Sequence, residues 1–197
     1  MSKSRAMLAV LGFAAVASAG PAIAQDKGLY LGGSFGTAEY ADTCTNLNLA
    51  TGCRDNDEAW RAFGGYRFNR YFAVELGFAD LGTVSAVGNL GAGPITEESQ
   101  TRAFDLVAVA TVPIISRLSG FGKLGMYRAK TSHEIVAGQG TAQSGDQDSG
   151  FTYGAGLGLD LGSFGLRFEW QRWDNVAGST TLQETIDFFS IGALIRF

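Results

Sequence analysis

The chain alternates between apolar and polar side chains in one segment after another. In YFAVELGF, at 71–78, every second residue is large and apolar, and Glu75 lies among the small or polar residues between them. SFGLRFEWQRW, at 163–173, alternates in the same way, with Arg167 and Glu169 on its polar face. Because successive side chains of an extended chain point to opposite faces, this alternation predicts β-strands with one apolar and one polar face.

Eight segments share this pattern, and together they predict an all-β chain. The predicted strands are centred on GLYLGGSFG, DEAWRAFGGYRF, YFAVELGF, FDLVAVATV, FGKLGMYRA, YGAGLGLDL, SFGLRFEWQRW and FFSIGALIRF. Short connections are predicted at 69–70, 113–118 and 162–163, and long polar loops at 37–57, 82–98, 130–148 and 174–184. Short turns on one side and long loops on the other are typical of an eight-stranded antiparallel up-and-down β-barrel, with both chain ends on the short-turn side.

The contents of the two faces decide between two kinds of barrel. In a soluble, lipocalin-like carrier the apolar face would point inward around a ligand, whereas in a transmembrane β-barrel it points to lipid. The polar face mixes both signs of charge with many glycines, as a narrow interior requires because an unpaired buried charge is costly. The apolar face has aromatic residues near strand ends, as at a membrane interface. The pattern therefore favours the transmembrane barrel.

This assignment places charged side chains inside the barrel, where we expect them to form a network. The predicted members are Arg61, Glu75, Asp105, Lys123, Asp160, Arg167 and Glu169. An eight-stranded barrel is only just wide enough for side chains to fill it. We therefore expect a largely plugged interior, with a small-solute or ion pore of low conductance as the alternative.

The composition of the chain mainly argues against certain classes of function. The chain has 28 glycines and only 3 prolines, and 46% of its residues are hydrophobic, which suits closely packed strands. Its net charge is −4, so it lacks the basic footprint that nucleic-acid binding requires. With a single histidine, a metal site is not expected, and no motif indicates a cofactor.

The first residues predict export. Lys3 and Arg5 precede an apolar stretch that ends in Ala22-Ile23-Ala24, which is the pattern of a secretory signal peptide. We expect a signal peptide at 1–24 and a barrel domain at 25–197. Outside the cytoplasm, Cys44 and Cys53 should oxidise, and their position in a polar stretch predicts a disulfide within the first outer loop.

Several fragments together resemble the OmpA-like barrels of Gram-negative outer membranes. They are FGGYRFNRYFAVELGFADLG, LRFEWQRWDN and the terminal SIGALIRF. The terminal fragment is similar to the family's assembly signal, whose matching residues here are Ser190, Gly192, Ile195 and Phe197. Relatives also hold a charge network inside the barrel, at positions that match Glu75, Arg167 and Glu169, with Lys123 in place of an arginine.

The resemblance implies a location and partners. We expect a monomer in the outer membrane, in contact with lipid and lipopolysaccharide, delivered by periplasmic chaperones and the barrel-assembly machinery. Because the sequence ends at Phe197, we expect it to lack the peptidoglycan-binding domain of longer family members. The outer loops would be the contact surface for a possible extracellular ligand.

Catalysis is not expected. Some small outer-membrane barrels modify lipids, and such an enzyme would need a histidine with a serine or carboxylate partner. His133 has Ser132 and Glu134 as neighbours, but these would point to the opposite face of a continuing strand. The favoured interpretation is a structural or surface-interaction role, and a lipid-modifying enzyme remains an alternative.

Overall fold

The computed structural model describes residues 27–40, 50–54, 56–89, 94–137, 140–179 and 182–197. Within these ranges the chain forms nine β-strands. They are β1 (Gly28–Tyr40), β2 (Ala50–Arg54), β3 (Asn56–Arg67), β4 (Phe72–Asn89), β5 (Pro94–Ile115), β6 (Leu118–Ala137), β7 (Gly140–Leu161), β8 (Phe164–Ser179) and β9 (Leu182–Arg196). Among the described residues there is no helix with the length and apolar character that a membrane crossing would need.

Eight of these strands close into an antiparallel barrel, as the sequence predicts. Neighbours in sequence pair with one another, and β1 pairs with both β3 and β9. The closing register sets Leu31 opposite Ile195, and the Phe197 N–H donates to the Leu29 carbonyl at 2.9 Å. The short β2 is an addition that pairs with the far end of β4. A closed barrel leaves none of its eight strands as an open edge, which is the condition for a sheet in lipid.

The short connections lie where the sequence predicts them, at one end of the barrel. The turn between β3 and β4 is held by the Asn69 side chain, whose Oδ1 accepts the N–H groups of Tyr71 and Phe72 at 2.8 and 2.9 Å. The turn between β7 and β8 contains Gly162, whose φ of 86° favours glycine. This end is called the turn end below, and the opposite end is the hairpin end.

The prediction of long loops at the hairpin end is wrong for most of their residues. Strands β6 and β7 run for 20 and 22 residues and remain paired as far as Ala137 opposite Gly140. Likewise, β4 and β5 pair as far as Asn89 opposite Pro94. Beyond the membrane both faces of a hairpin meet water, so the alternation that marks a strand disappears while the backbone ladder continues. Cys44 lies outside the described residues, and the disulfide with Cys53 stays a prediction.

The outer face of the barrel carries a belt of exposed apolar side chains. Leu76, Phe104 and Phe168 have exposed fractions of 62, 60 and 60%. The intervening side chains on the same strands, including Glu75 and Asp105, are buried in the interior. Apolar surface on this scale needs an apolar environment, so the belt faces lipid and the parity deduced from the sequence is correct.

The interior is built in layers and is not polar throughout. Along β5 the inward side chains run Ala103, Asp105 and Val107 from the hairpin end toward the turn end. The upper apolar layer, toward the hairpin end, comprises Ala38, Tyr40, Ala59, Ala79, Leu81, Ala103, Tyr127, Ala129, Trp173, Val176, Ile186 and Phe188. The lower apolar layer comprises Tyr30, Phe63, Ala73, Val107, Val109, Phe121 and Leu194. A layer of charged side chains lies between the two.

Candidate functional site in the barrel interior

The charged layer gathers six side chains from five strands. They are Arg61 on β3, Glu75 on β4, Asp105 on β5, Lys123 on β6, and Arg167 and Glu169 on β8. Each occupies an inward position of its strand. Their side chains are between 0 and 9% exposed, so water hardly reaches the layer.

Glu75 is the centre of the charged layer. Its Oε1 accepts hydrogen bonds from Arg167 Nη1 at 2.5 Å and from the Tyr30 hydroxyl at 2.9 Å. Its Oε2 lies 3.1 Å from Lys123 Nζ and 3.6 Å from Arg61 Nη1. One carboxylate therefore meets three cations that come from three other strands.

The other two carboxylates complete the charge balance. Lys123 Nζ donates to Glu169 Oε1 at 2.6 Å. Arg61 holds Asp105 with two hydrogen bonds, from Nε at 2.9 Å and from Nη2 at 2.6 Å. Three cations thus face three carboxylates. Burying a charge costs several kcal/mol unless it is paired and hydrogen-bonded, so this balance is what makes the layer tolerable.

Aromatic rings of the lower apolar layer support the charged layer from the turn end. The Arg167 guanidinium lies 5.0 Å from the centre of the Phe63 ring and 4.9 Å from that of Phe121. Lys123 Nζ lies 5.6 Å from the Phe63 ring centre. These are cation–π distances. Without a Cβ, Gly77 gives Arg61 its space, because a Cβ there would stand 2.6 Å from Arg61 Nε.

One predicted member of the network lies elsewhere. Asp160 pairs with Arg196 at 2.7 Å near the turn end, where its side chain is 47% exposed. The inward parity of Asp160 is real, but it sits too far along β7 to reach the charged layer. Tyr30 is a partner of Glu75 that the predicted network lacks, although the alternation of GLYLGGSFG gives Tyr30 an inward position. The sequence signal for this contact is a tyrosine hydroxyl at an inward position of an interior that is predicted to be charged.

His133 and the residues of the terminal assembly signal are the sequence's candidates for other roles. His133 lies on β6, opposite Ser99 on β5 and Ser144 on β7, and not in a loop as predicted. Among the side chains that the structure describes, no group of three or more histidine, cysteine, aspartate or glutamate residues is arranged to hold a metal ion. Catalysis by His133 and assembly through Ser190, Gly192, Ile195 and Phe197 are not tested by this geometry.

Comparison with known proteins agrees with the fold. The model of the OmpA-like transmembrane domain matches residues 24–197. Outer membrane protein A of Salmonella typhi is 28% identical over 197 residues, covering 96% of this chain and 53% of that protein. The chain therefore spans about half the length of the curated relatives it matches.

Solved structures share the architecture at low sequence identity. Neisserial surface protein A has a TM-score of 0.57 at 12% identity, covering 86% of this chain and 97% of that one. Ail of Yersinia pestis, solved with the heparin analogue sucrose octasulfate, has a TM-score of 0.56 at 15% identity, covering 88% of this chain and 100% of its own. The chain belongs to the OmpA-like transmembrane domain family, whose closed antiparallel barrels lie in the outer membrane of Gram-negative bacteria.

Proposed function

We propose that this chain is a closed outer-membrane barrel that acts through its structure and its outer surface, and not as a general pore or an enzyme. The single observation that carries the proposal is the layered interior. The side chains of Arg61, Glu75 and Asp105 are 0% exposed. A continuous water path through the barrel would have to wet this layer.

The upper apolar layer supports the same conclusion from the hairpin end. Trp173, Ile186 and Phe188 are fully buried, and the Trp173 and Phe188 rings pack with their centres 6.2 Å apart. Ions would have to cross this layer before they reached the charges. Hydrated ions are strongly disfavoured in a dry apolar constriction.

The long hairpins support a role at the cell surface. A strand needs about 9–11 residues to cross a bilayer, whereas β6 and β7 have 20 and 22. About half of each strand therefore extends beyond the lipid. A paired hairpin is a more ordered contact surface than the polar loops that the sequence predicts, because its backbone groups are already hydrogen-bonded to each other.

Planar-bilayer recording tests the closed interior. Purified monomer should insert without long-lived conductance steps. The variant W173A/F188A should remain closed as well, because the charged layer beneath the removed rings persists. Large, stable steps from wild-type monomer would contradict the proposal and favour a pore.

A shortened hairpin separates the structural role from the surface role. Residues 133–144 would be replaced by a two-residue Asn-Gly turn, which joins the directly opposed Ser132 and Gly145 and suits antiparallel strands. The shortened barrel should fold and show heat-dependent gel mobility. In a strain lacking the native chain, restored envelope integrity with lost surface attachment would assign the hairpin to attachment. If neither property changes on deletion of the whole chain, the proposed role is wrong.

A further inference from the structure

The outer face of the barrel has a cationic cleft, at the hairpin side of the lipid belt. The cleft has a volume of 370 Å³ and spans strands β4 to β7. Its lining includes Phe78, Arg102, Phe104, Arg128, Lys130 and Gln147. Arg102, Arg128 and Lys130 all point outward from their strands and are exposed.

The cleft lies at the level of lipid headgroups. Phe104 and Met126 belong to the lipid belt, with exposed fractions of 60 and 62%. Arg102 and Arg128 are the next outward residues of the same two strands toward the hairpin end. Two residues of strand span about 7 Å, so the guanidinium groups follow directly on the apolar surface.

The charges in the cleft are only partly compensated by the described residues of the protein. Arg102 on β5 stands directly opposite Lys130 on β6, and like charges at opposite positions destabilise a strand pair. Asp80 Oδ2 lies 3.2 Å from Arg102 Nε. Arg128 Nη2 donates a hydrogen bond to Oε1 of the neutral Gln147 at 2.9 Å. Three cations thus share one carboxylate among the described contacts.

The other side of the barrel has the opposite charge. Strands β1, β3 and β9, which lie across the barrel from β6, point Glu39, Glu58 and Asp187 outward near the hairpin end. Among the residues described on that side, Arg172 on β8 donates two hydrogen bonds to Asp187, at 2.7 and 2.6 Å. The positive excess is therefore local to the cationic cleft.

We propose that the cationic cleft binds a phosphate group of an outer-leaflet glycolipid, with Arg102 and Lys130 on either side of the phosphate and Arg128 beside them. An anion between Arg102 and Lys130 turns their repulsion into two charge-assisted contacts. Phe78 and Phe104, whose ring centres are 4.8 Å apart, give the adjoining acyl chains an apolar surface. This binding site goes beyond the proposed function, since it holds whether or not the barrel conducts.

Native mass spectrometry of the full chain in detergent tests the site. The probes are bisphosphorylated lipid A, dephosphorylated lipid A and inorganic phosphate. We expect the wild-type chain to bind the bisphosphorylated form at least about tenfold more tightly than the dephosphorylated form. Inorganic phosphate at millimolar concentration should not displace it, and binding should persist in EDTA because the contacts are direct.

Substitutions locate the site on the barrel. The variant R102Q/R128Q/K130Q should lose the preference for phosphate, and K130Q alone should reduce it. Arg117→Gln, in the exposed turn between β5 and β6, and Arg172→Gln should keep it. Unchanged preference in the triple variant, loss of binding in EDTA, or equal displacement by inorganic phosphate would each overturn the proposal. Heat-dependent gel mobility establishes that every variant is folded.

Discussion

The charged layer inside the barrel and the cationic cleft outside it each contain three basic side chains, but they differ in compensation. Inside, Arg61, Lys123 and Arg167 face three carboxylates at hydrogen-bonding or ion-pair distances. Outside, three cations share Asp80, and the Arg102 side chain is 55% exposed. A buried charge must find its partner within the protein, whereas an exposed charge can rely on solvent or on a ligand.

The largest expected effect comes from the centre of the charged layer. Glu75→Gln leaves three buried cations with two carboxylates, and we expect the free energy of unfolding to fall by about 3–5 kcal/mol. Urea unfolding in lipid vesicles, followed by tryptophan fluorescence, measures it. The matched control is Glu39→Gln, an exposed outward residue of β1, which should change stability by about 0.5 kcal/mol or less. Equal losses in the two variants would contradict the contrast between inside and outside.

The Arg61–Asp105 pair allows the compensation itself to be measured. Arg61→Met or Asp105→Leu alone leaves a buried charge without its main partner and should cost about 3 kcal/mol or more. The double variant removes both charges, so its cost should be less than the sum by about 2 kcal/mol. The same unfolding assay, applied to the wild type, the two single variants and the double variant, completes this double-mutant cycle. Additive costs would mean that the two side chains do not compensate each other.

Filling the space beside Arg61 should have a smaller effect on the free energy of unfolding. Gly77→Ala places a methyl group 2.6 Å from the present position of Arg61 Nε and should cost about 1–3 kcal/mol. Gly33→Ala is the control, because the nearest heavy atom to its new Cβ is 3.7 Å away. A tolerated Gly77→Ala beside an equally tolerated control would show that the layer has room to adjust.

The smallest change in stability is expected in the cationic cleft. Asp80→Asn removes a pair with an exposed arginine and should alter the free energy of unfolding by less than about 1 kcal/mol. It should also raise the affinity for bisphosphorylated lipid A, because Arg102 loses its competing carboxylate. Asp187→Asn, on the acidic side of the barrel, should leave that affinity unchanged. A decrease on Asp80→Asn would contradict the assignment of the cleft.

The sequence predicts which face each side chain occupies better than it predicts the partners of that side chain. Parity alone places Glu75 and Arg167 inside and Phe104 outside, because the period of a strand is two residues. The contact between Glu75 and Arg167 joins residues 92 positions apart. That contact depends on the stagger of the closed barrel, which a single sequence does not state. For the same reason, parity alone groups Asp160 with the charged layer.

Two further features could not be read from the pattern. The hairpin extensions of β6 and β7 lack the alternation that marks a strand in the sequence, although the two strands remain paired as far as Ala137 opposite Gly140. The sequence does not predict the upper apolar layer, because the polar face of the strands leads us to expect a polar interior. Trp173 and Phe188 have the correct inward parity, yet only the three-dimensional structure brings their ring centres to 6.2 Å from each other.

Exchange of the Trp173 indole proton with solvent tests the closed interior most directly. The chain has 3 tryptophans, so indole signals in the folded barrel can be assigned by single substitutions to phenylalanine. Trp173 is fully buried, whereas Trp60 lies on the outer face with an exposed fraction of 44%. In deuterated buffer, the Trp173 indole proton should exchange far more slowly than those of Trp60 and Trp170. Exchange of Trp173 as fast as that of Trp60 would show that water enters the barrel and would contradict the closed interior.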